Sequence, residues 1–128
     1  MRRVALLLLL VTAFAGSAHA DPQRFVIFFI EWSAAIDDAA KGVVAEAADY
    51  AKAHPTETIQ VTGFADPTGS KQANVLLSEL RAQRVADLLA EDGVPPARIR
   101  QVGRGSVKFA LTPLESRRVE VAISPAKH

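Results

Sequence analysis

Hydrophobic residues recur along this 128-residue chain with two different periods, and the order of those periods predicts the fold. Residues 25–30, Phe-Val-Ile-Phe-Phe-Ile, are an unbroken apolar run rich in aromatic and β-branched side chains, which predicts a strand buried on both faces. From Ala34 to about Ala53 the spacing becomes helical, with Ile36, Ala39, Ala40, Val43, Val44, Ala47, Tyr50 and Ala51 recurring at helical intervals. His54-Pro55 ends this helix, because proline disfavours helical backbone in the residue before it. Residues 58–63, Thr-Ile-Gln-Val-Thr-Gly, alternate apolar and polar and predict a second strand. The turn Ala65-Asp66-Pro67-Thr68-Gly69 leads into a second helix over residues 70–91, with an expected core stripe of Ala73, Leu76, Leu77, Leu80, Val85, Leu88 and Leu89. Asp92-Gly93 caps that helix and Pro95-Pro96 stops it. A third strand is expected over residues 99–103. A fourth follows from Val119, Val121 and Ile123 alternating with Arg118, Glu120 and Ala122, after a polar, proline-containing loop over 104–116. The order β-α-β-α-β-β predicts an α/β fold of the α+β sandwich kind: two helices on one face of a mixed parallel and antiparallel sheet.

The first twenty residues follow another rule. Arg2 and Arg3 precede a leucine-rich run and then Ala18-His19-Ala20, the pattern of a secretory signal with a small-x-small cleavage site. The run is shorter than the roughly 20 residues a spanning helix needs. The expected organisation is a cleaved signal peptide over 1–20, one domain over 21–124, and a short polar tail over 125–128. Without Arg2 and Arg3, thirteen basic residues face fourteen acidic ones, so the mature chain is close to neutral and carries no electrostatic signature of nucleic-acid binding. There is no cysteine, which excludes disulfides, thiolate catalysis and zinc–sulfur sites, and argues against lipid attachment at a new N-terminal cysteine. These features predict an exported periplasmic protein, associated with the outer membrane or the cell wall, with no transmembrane segment after cleavage and not a lipoprotein.

Catalytic equipment is sparse. His54 adjoins a proline at a helix end, His128 is the last residue and His19 leaves with the leader, so no imidazole sits in a rigid frame. No His, Asp and Glu cluster has metal-ligand spacing, and no cofactor is expected. Asp37-Asp38 reads as a pair of acids in a helix first turn, where they complement the macrodipole. Gly103-Arg104-Gly105 precedes no helix and reads as a turn rather than a phosphate loop. The chain is therefore not expected to be an enzyme. Recognition chemistry is better represented. Asn74, Ser78 and Arg81 share one helical face at i, i+4, i+7, and Asp66 lies in the turn leading into that helix. On spacing alone two readings stand: an ordinary ion pair or solvated arginine, or a divided site offering a carboxylate to an ammonium group and a guanidinium to a carboxylate.

The run Val61-Thr62-Gly63-Phe64-Ala65-Asp66, followed by Gly69-Ser70, Asn74, Leu77-Ser78, Arg81-Ala82 and Val85, resembles the core motif of OmpA-like peptidoglycan-binding domains. Ser116-Arg117-Arg118-Val119-Glu120 resembles that family's closing strand, and Phe28-Phe29 with Ile36 its first strand and first helix. The resemblance implies the β-α-β-α-β-β fold and non-covalent binding of peptidoglycan through the diaminopimelate of the stem peptide. It assigns Asp66 to the ammonium side, Arg81 to the carboxylate, and Asn74 to the same pocket, with Arg117 as a further member. Four features depart from the family pattern. Ile30 stands where an acid often closes the first strand, with Glu31 one residue along. The Gly-Arg pair is absent before Ser116, which itself replaces an asparagine, and the loop after Gly105 is short. The alternative these departures imply is a periplasmic protein-interaction or scaffold domain of the same fold, with weak or lost peptidoglycan binding and envelope proteins as its partners.

Overall fold

The structure, a computed structural model, describes residues 21–106 and 116–125. The signal-peptide reading of 1–20, most of the expected loop, and the end of the tail with His128 lie outside the described residues. Six elements follow in the expected order: β1 (Gln23–Phe28), α1 (Asp38–Ala53), β2 (Thr58–Ala65), α2 (Lys71–Glu91), β3 (Ile99–Ser106) and β4 (Arg118–Ser124). A single 3₁₀ turn, Pro96–Arg98, joins α2 to β3. The sheet order is β1-β4-β2-β3, with β4 antiparallel to both of its neighbours and β2 parallel to β3. The last strand thus takes a central position. Its Val119, Val121 and Ile123 are fully buried, aligned with Ile27 on one side and Ile59, Val61 and Gly63 on the other. α1 packs near β1, and α2 lies across β2 and β3.

β1 departs from the sequence expectation. It is an edge strand, set two residues earlier than 25–30, and buried on one face only: Ile27 is enclosed, while Phe28 is exposed and Ile30, beyond its end, is 71% exposed. A continuous apolar run does not distinguish a strand covered on two faces from an edge strand whose outer face is merely hydrophobic. α1 begins at Asp38, four residues later than the periodicity suggests. Asp37 is the N-cap, in extended geometry, and its Oδ1 accepts the Ala40 N–H at 2.8 Å. At the other end Arg98 donates to the carbonyls of Ala51, His54 and Glu57, each at 2.9 Å, closing the helix C-terminus. His54 stacks on Tyr50 with ring centroids 4.0 Å apart and has a structural place there.

α2 is turned differently from the leucine stripe. Its buried face is Asn74, Ser78, Arg81, Ala82, Val85, Ala86 and Leu89, while Leu76 and Leu80 are 61% and 51% exposed. The cause lies in the sheet beneath. Gly63 and Gly103 are register partners on adjacent strands. A Cβ on Gly63 would collide with the backbone carbonyl of Ser78, and one on Gly103 with the Glu79 amide and the Ser78 hydroxyl. The helix therefore sits at close range, where only small or slender side chains fit under its first half. Ser78 Oγ accepts the Gly105 N–H at 2.8 Å and donates to Val75 O at 2.8 Å, fastening helix to strand. Gly103-Arg104-Gly105, expected as a turn, is part of β3 for the same reason.

Candidate ligand-binding site

The four residues singled out in the sequence come from three places and meet at one end of the sheet. Asp66 follows β2 directly, just beyond a bulge between Gly63 and Ala65 where β2 and β3 lose register. Asn74 and Arg81 lie two turns apart on α2, whose N-cap Ser70 accepts the Ala73 N–H at 3.0 Å. Arg117 immediately precedes β4. Asp66, Asn74 and Arg81 line a single cleft of ≈ 150 Å³ together with Glu31, Trp32, Thr68 and Leu77. Arg117 does not line it but binds Asp66.

Each polar group in this cluster has a defined occupation. Asp66, buried, accepts from Arg117 Nε at 2.9 Å on Oδ2 and 3.1 Å on Oδ1, and from Ser116 Oγ at 3.2 Å. Arg81 is 0% exposed and donates to three backbone carbonyls: Nε to Ser33 at 2.8 Å, Nη1 to Phe64 at 3.0 Å, and Nη2 to Ile30 at 2.9 Å. Its guanidinium also lies over the Phe29 ring, 5.2 Å from the centroid. Asp66 and Arg81 do not pair with each other, so the bland reading of the two as one ion pair is wrong in its partner. Asn74 Nδ2 donates to Thr68 O at 2.7 Å and to Ser106 Oγ at 3.0 Å, tying the turn before α2 to the end of β3. Because Thr68 O can only accept, the amide orientation is fixed, and Oδ1 has no hydrogen-bond partner among the described residues.

The electrostatics follow from this arrangement. Burial pushes the Arg81 pKa down from its ordinary value; the nearby Asp66 carboxylate acts to raise it and the Arg117 guanidinium to lower it. A guanidinium stays protonated in proteins, so the desolvation is met by hydrogen bonds to the three carbonyls rather than by loss of charge. Among the described residues those bonds use three of its five N–H groups and leave one on each of Nη1 and Nη2. On Asp66 three of about four acceptor positions are filled. The cluster can therefore still accept one donor at Asp66 and Asn74 Oδ1, and still offer two donors at Arg81.

Sequence reasoning placed Asp66, Asn74 and Arg81 together and left two neighbours unassigned. Glu31 and Trp32 enter the cleft from the segment between β1 and α1, held there by the Arg81 bonds to Ile30 and Ser33. In the sequence Glu31 reads only as a displaced strand-end acid, and nothing in the periodicity marks Trp32. Ser116, a departure from the family pattern, is buried and bonded to Asp66. Among the described residues no cluster of His, Cys, Asp and Glu is placed to hold a metal ion.

Comparison with known proteins gives concordant matches. Residues 28–118 match the model of the OmpA family. The chain is 33% identical over 105 residues to the probable lipoprotein YiaD of Escherichia coli, covering 77% of this chain and 48% of that protein. It is 40% identical over 83 residues to the peptidoglycan-binding protein ArfA of Mycobacterium tuberculosis, covering 60% and 26% respectively. The crystal structure of the peptidoglycan-associated lipoprotein from Burkholderia pseudomallei superposes with a TM-score of 0.73 at 26% identity, over 78% of this chain and 90% of that one. The chain thus spans half or less of the length of these two sequence relatives. The matches also correct one expectation. The absence of cysteine suggested that the protein is not a lipoprotein, yet two of these three similar proteins are named lipoproteins. The exclusion does not stand: it rested on a cleavage site drawn within residues 1–20, outside the described residues.

Proposed function

The chain belongs to the OmpA family, and from that premise we propose that it is a non-enzymatic domain of the cell envelope that binds peptidoglycan non-covalently, through the diaminopimelate of the stem peptide. The observation that carries this reading is the pair of unused N–H groups on buried Arg81, in one cleft with the acceptors Asp66 and Asn74. The free end of diaminopimelate presents a carboxylate and an ammonium on one carbon. Arg81 supplies the planar donor for the first, and Asp66 with Asn74 Oδ1 supplies acceptors for the second. In this reading Arg117 and Ser116 hold Asp66 in place and keep its charge compensated while the cleft is empty. The binding unit is the domain over residues 21–124. Support also comes from ArfA and the Burkholderia structure, whose names associate them with peptidoglycan.

A second reading is favoured by one observation. Asp66 is already satisfied by Arg117, and Arg81 is sealed from solvent, as in a fold that keeps its internal bonds but serves as an interaction domain for envelope proteins. Co-sedimentation with purified diaminopimelate-type sacculi separates the two. Binding by the wild type should weaken about ten- to a hundredfold in Asp66→Ala, the loss of one charge-assisted contact. Arg81→Lys should weaken it as well. Pelleting of the Asp66 variant to the same extent as wild type, or no pelleting of wild type at all, would sink the peptidoglycan reading.

A further inference from the structure

Trp32 occupies a conformation that needs a reason. It is the one tryptophan in the sequence, it is 52% exposed, and its φ is 55°. The Ser33 N–H donates to Ile30 O at 3.1 Å, so residues 30–33 form a turn with Trp32 at its third position. A positive φ there suits glycine or asparagine; a bulky side chain holds it only when its surroundings impose it. Arg81 imposes it by binding the carbonyls at both ends of the turn, Ile30 and Ser33. The indole is thereby set over Gly69, where an added Cβ would come 2.7 Å from Trp32 Cη2. Gly69 itself has φ 78°, so the turn that carries Asp66 into α2 is shaped to accept the ring.

Beneath this contact the cleft has no room for even a water-sized sphere, and Arg81 has no exposed surface. No carboxylate reaches the two unused N–H groups unless the wall moves. We infer that Trp32 is the movable wall and the length-selecting residue of this site: its indole closes the empty cleft over Gly69, and on binding it lies along the methylene chain of the diamino acid. The inference rests on the peptidoglycan reading and adds to it. Asp66, Asn74 and Arg81 recognise a zwitterion, which every free amino acid carries. An aromatic face is what distinguishes a long aliphatic diamino acid from a short one.

Free meso-diaminopimelate is the probe, with D-alanine as the short zwitterion. Saturating meso-diaminopimelate should shift Trp32 emission to the blue and reduce its quenching by iodide, whereas D-alanine should not. Followed by amide NMR signals over residues 63–81, Trp32→Ala should lose about tenfold in affinity for meso-diaminopimelate, and Trp32→Phe should retain most of it. The fluorescence arm uses the wild-type protein, so it stands even where the alanine variant folds poorly. Amide shifts with unchanged emission, or equal affinities for wild type and Trp32→Ala, overturn the role of Trp32 and leave the peptidoglycan reading intact. No amide shift with meso-diaminopimelate, together with no pelleting on sacculi, overturns both.

Discussion

Arg81 carries two duties that pull on the same group. Three of its N–H groups hold the backbone of the Ile30–Ser33 turn and of Phe64, and two are left for a ligand. Lysine keeps the charge but has neither the planar fork nor the reach to three diverging carbonyls. Arg81→Lys is therefore expected to destabilise the fold by about 2–4 kcal/mol, since bonds to a charged donor are worth about 1.5–3 kcal/mol each and some are regained. Urea denaturation should show a lower midpoint with an unchanged m-value. A midpoint equal to wild type would mean that the carbonyl bonds contribute little. Loss of ligand binding in any Arg81 variant mixes direct contact with displacement of Glu31 and Trp32, so Asp66→Ala is the cleaner probe of recognition. At this scale the motif spacing was informative: Asp66, Asn74 and Arg81 do share one cleft. The Arg117 and Ser116 bonds to Asp66 span 51 and 50 positions of chain, and no local pattern encodes a pairing of that kind.

At the level of elements, the packing of α2 is decided by the sheet under it. Helical spacing identified an apolar stripe, but several residues on α2 compete for the inward face, and leucine is the natural choice when only hydrophobicity is counted. The glycine pair Gly63 and Gly103 reverses that choice, because it removes the space a leucine would need. Gly63→Ala should accordingly destabilise by about 3 kcal/mol, at the upper end for overpacking, because the obstructing atom is backbone and cannot rotate away. Leu76→Gln and Leu80→Gln should each lie within about 0.5 kcal/mol of wild type. Thermal unfolding of the three variants checks both statements; a large loss at Leu76 with none at Gly63 would restore the leucine stripe as the core face. β1 illustrates the same limit. Its composition gave a strand, while its position at the sheet edge depends on β4 returning from the far end of the chain to pair with it.

For the whole molecule, the order of elements and the mixed sheet with helices on one face were legible because each segment has a clear period and clear stops. The strand order was not, since β1-β4-β2-β3 is set by which buried faces match across the sheet. The buried side chains of both helices and all but one strand converge on a single cluster from Ile27 to Ile123, with no separate second core among the described residues. A chain starting at Asp21 should therefore unfold in one cooperative step, with far-UV circular dichroism and Trp32 fluorescence giving coincident transitions. An early fluorescence transition would place the Ile30–Ser33 turn outside the cooperative unit.

The tether between Arg81 and the turn that carries Trp32 has a consequence for descent. A relative that stopped using the ligand would still need its guanidinium, because it binds the carbonyls at both ends of the turn. The arginine would outlast the activity, as a keystone remains in an arch that no longer carries a road. The positions released first would be those with no internal bond to keep, Trp32 and Glu31, and in such lineages their drift, rather than any change at Arg81, would date the loss.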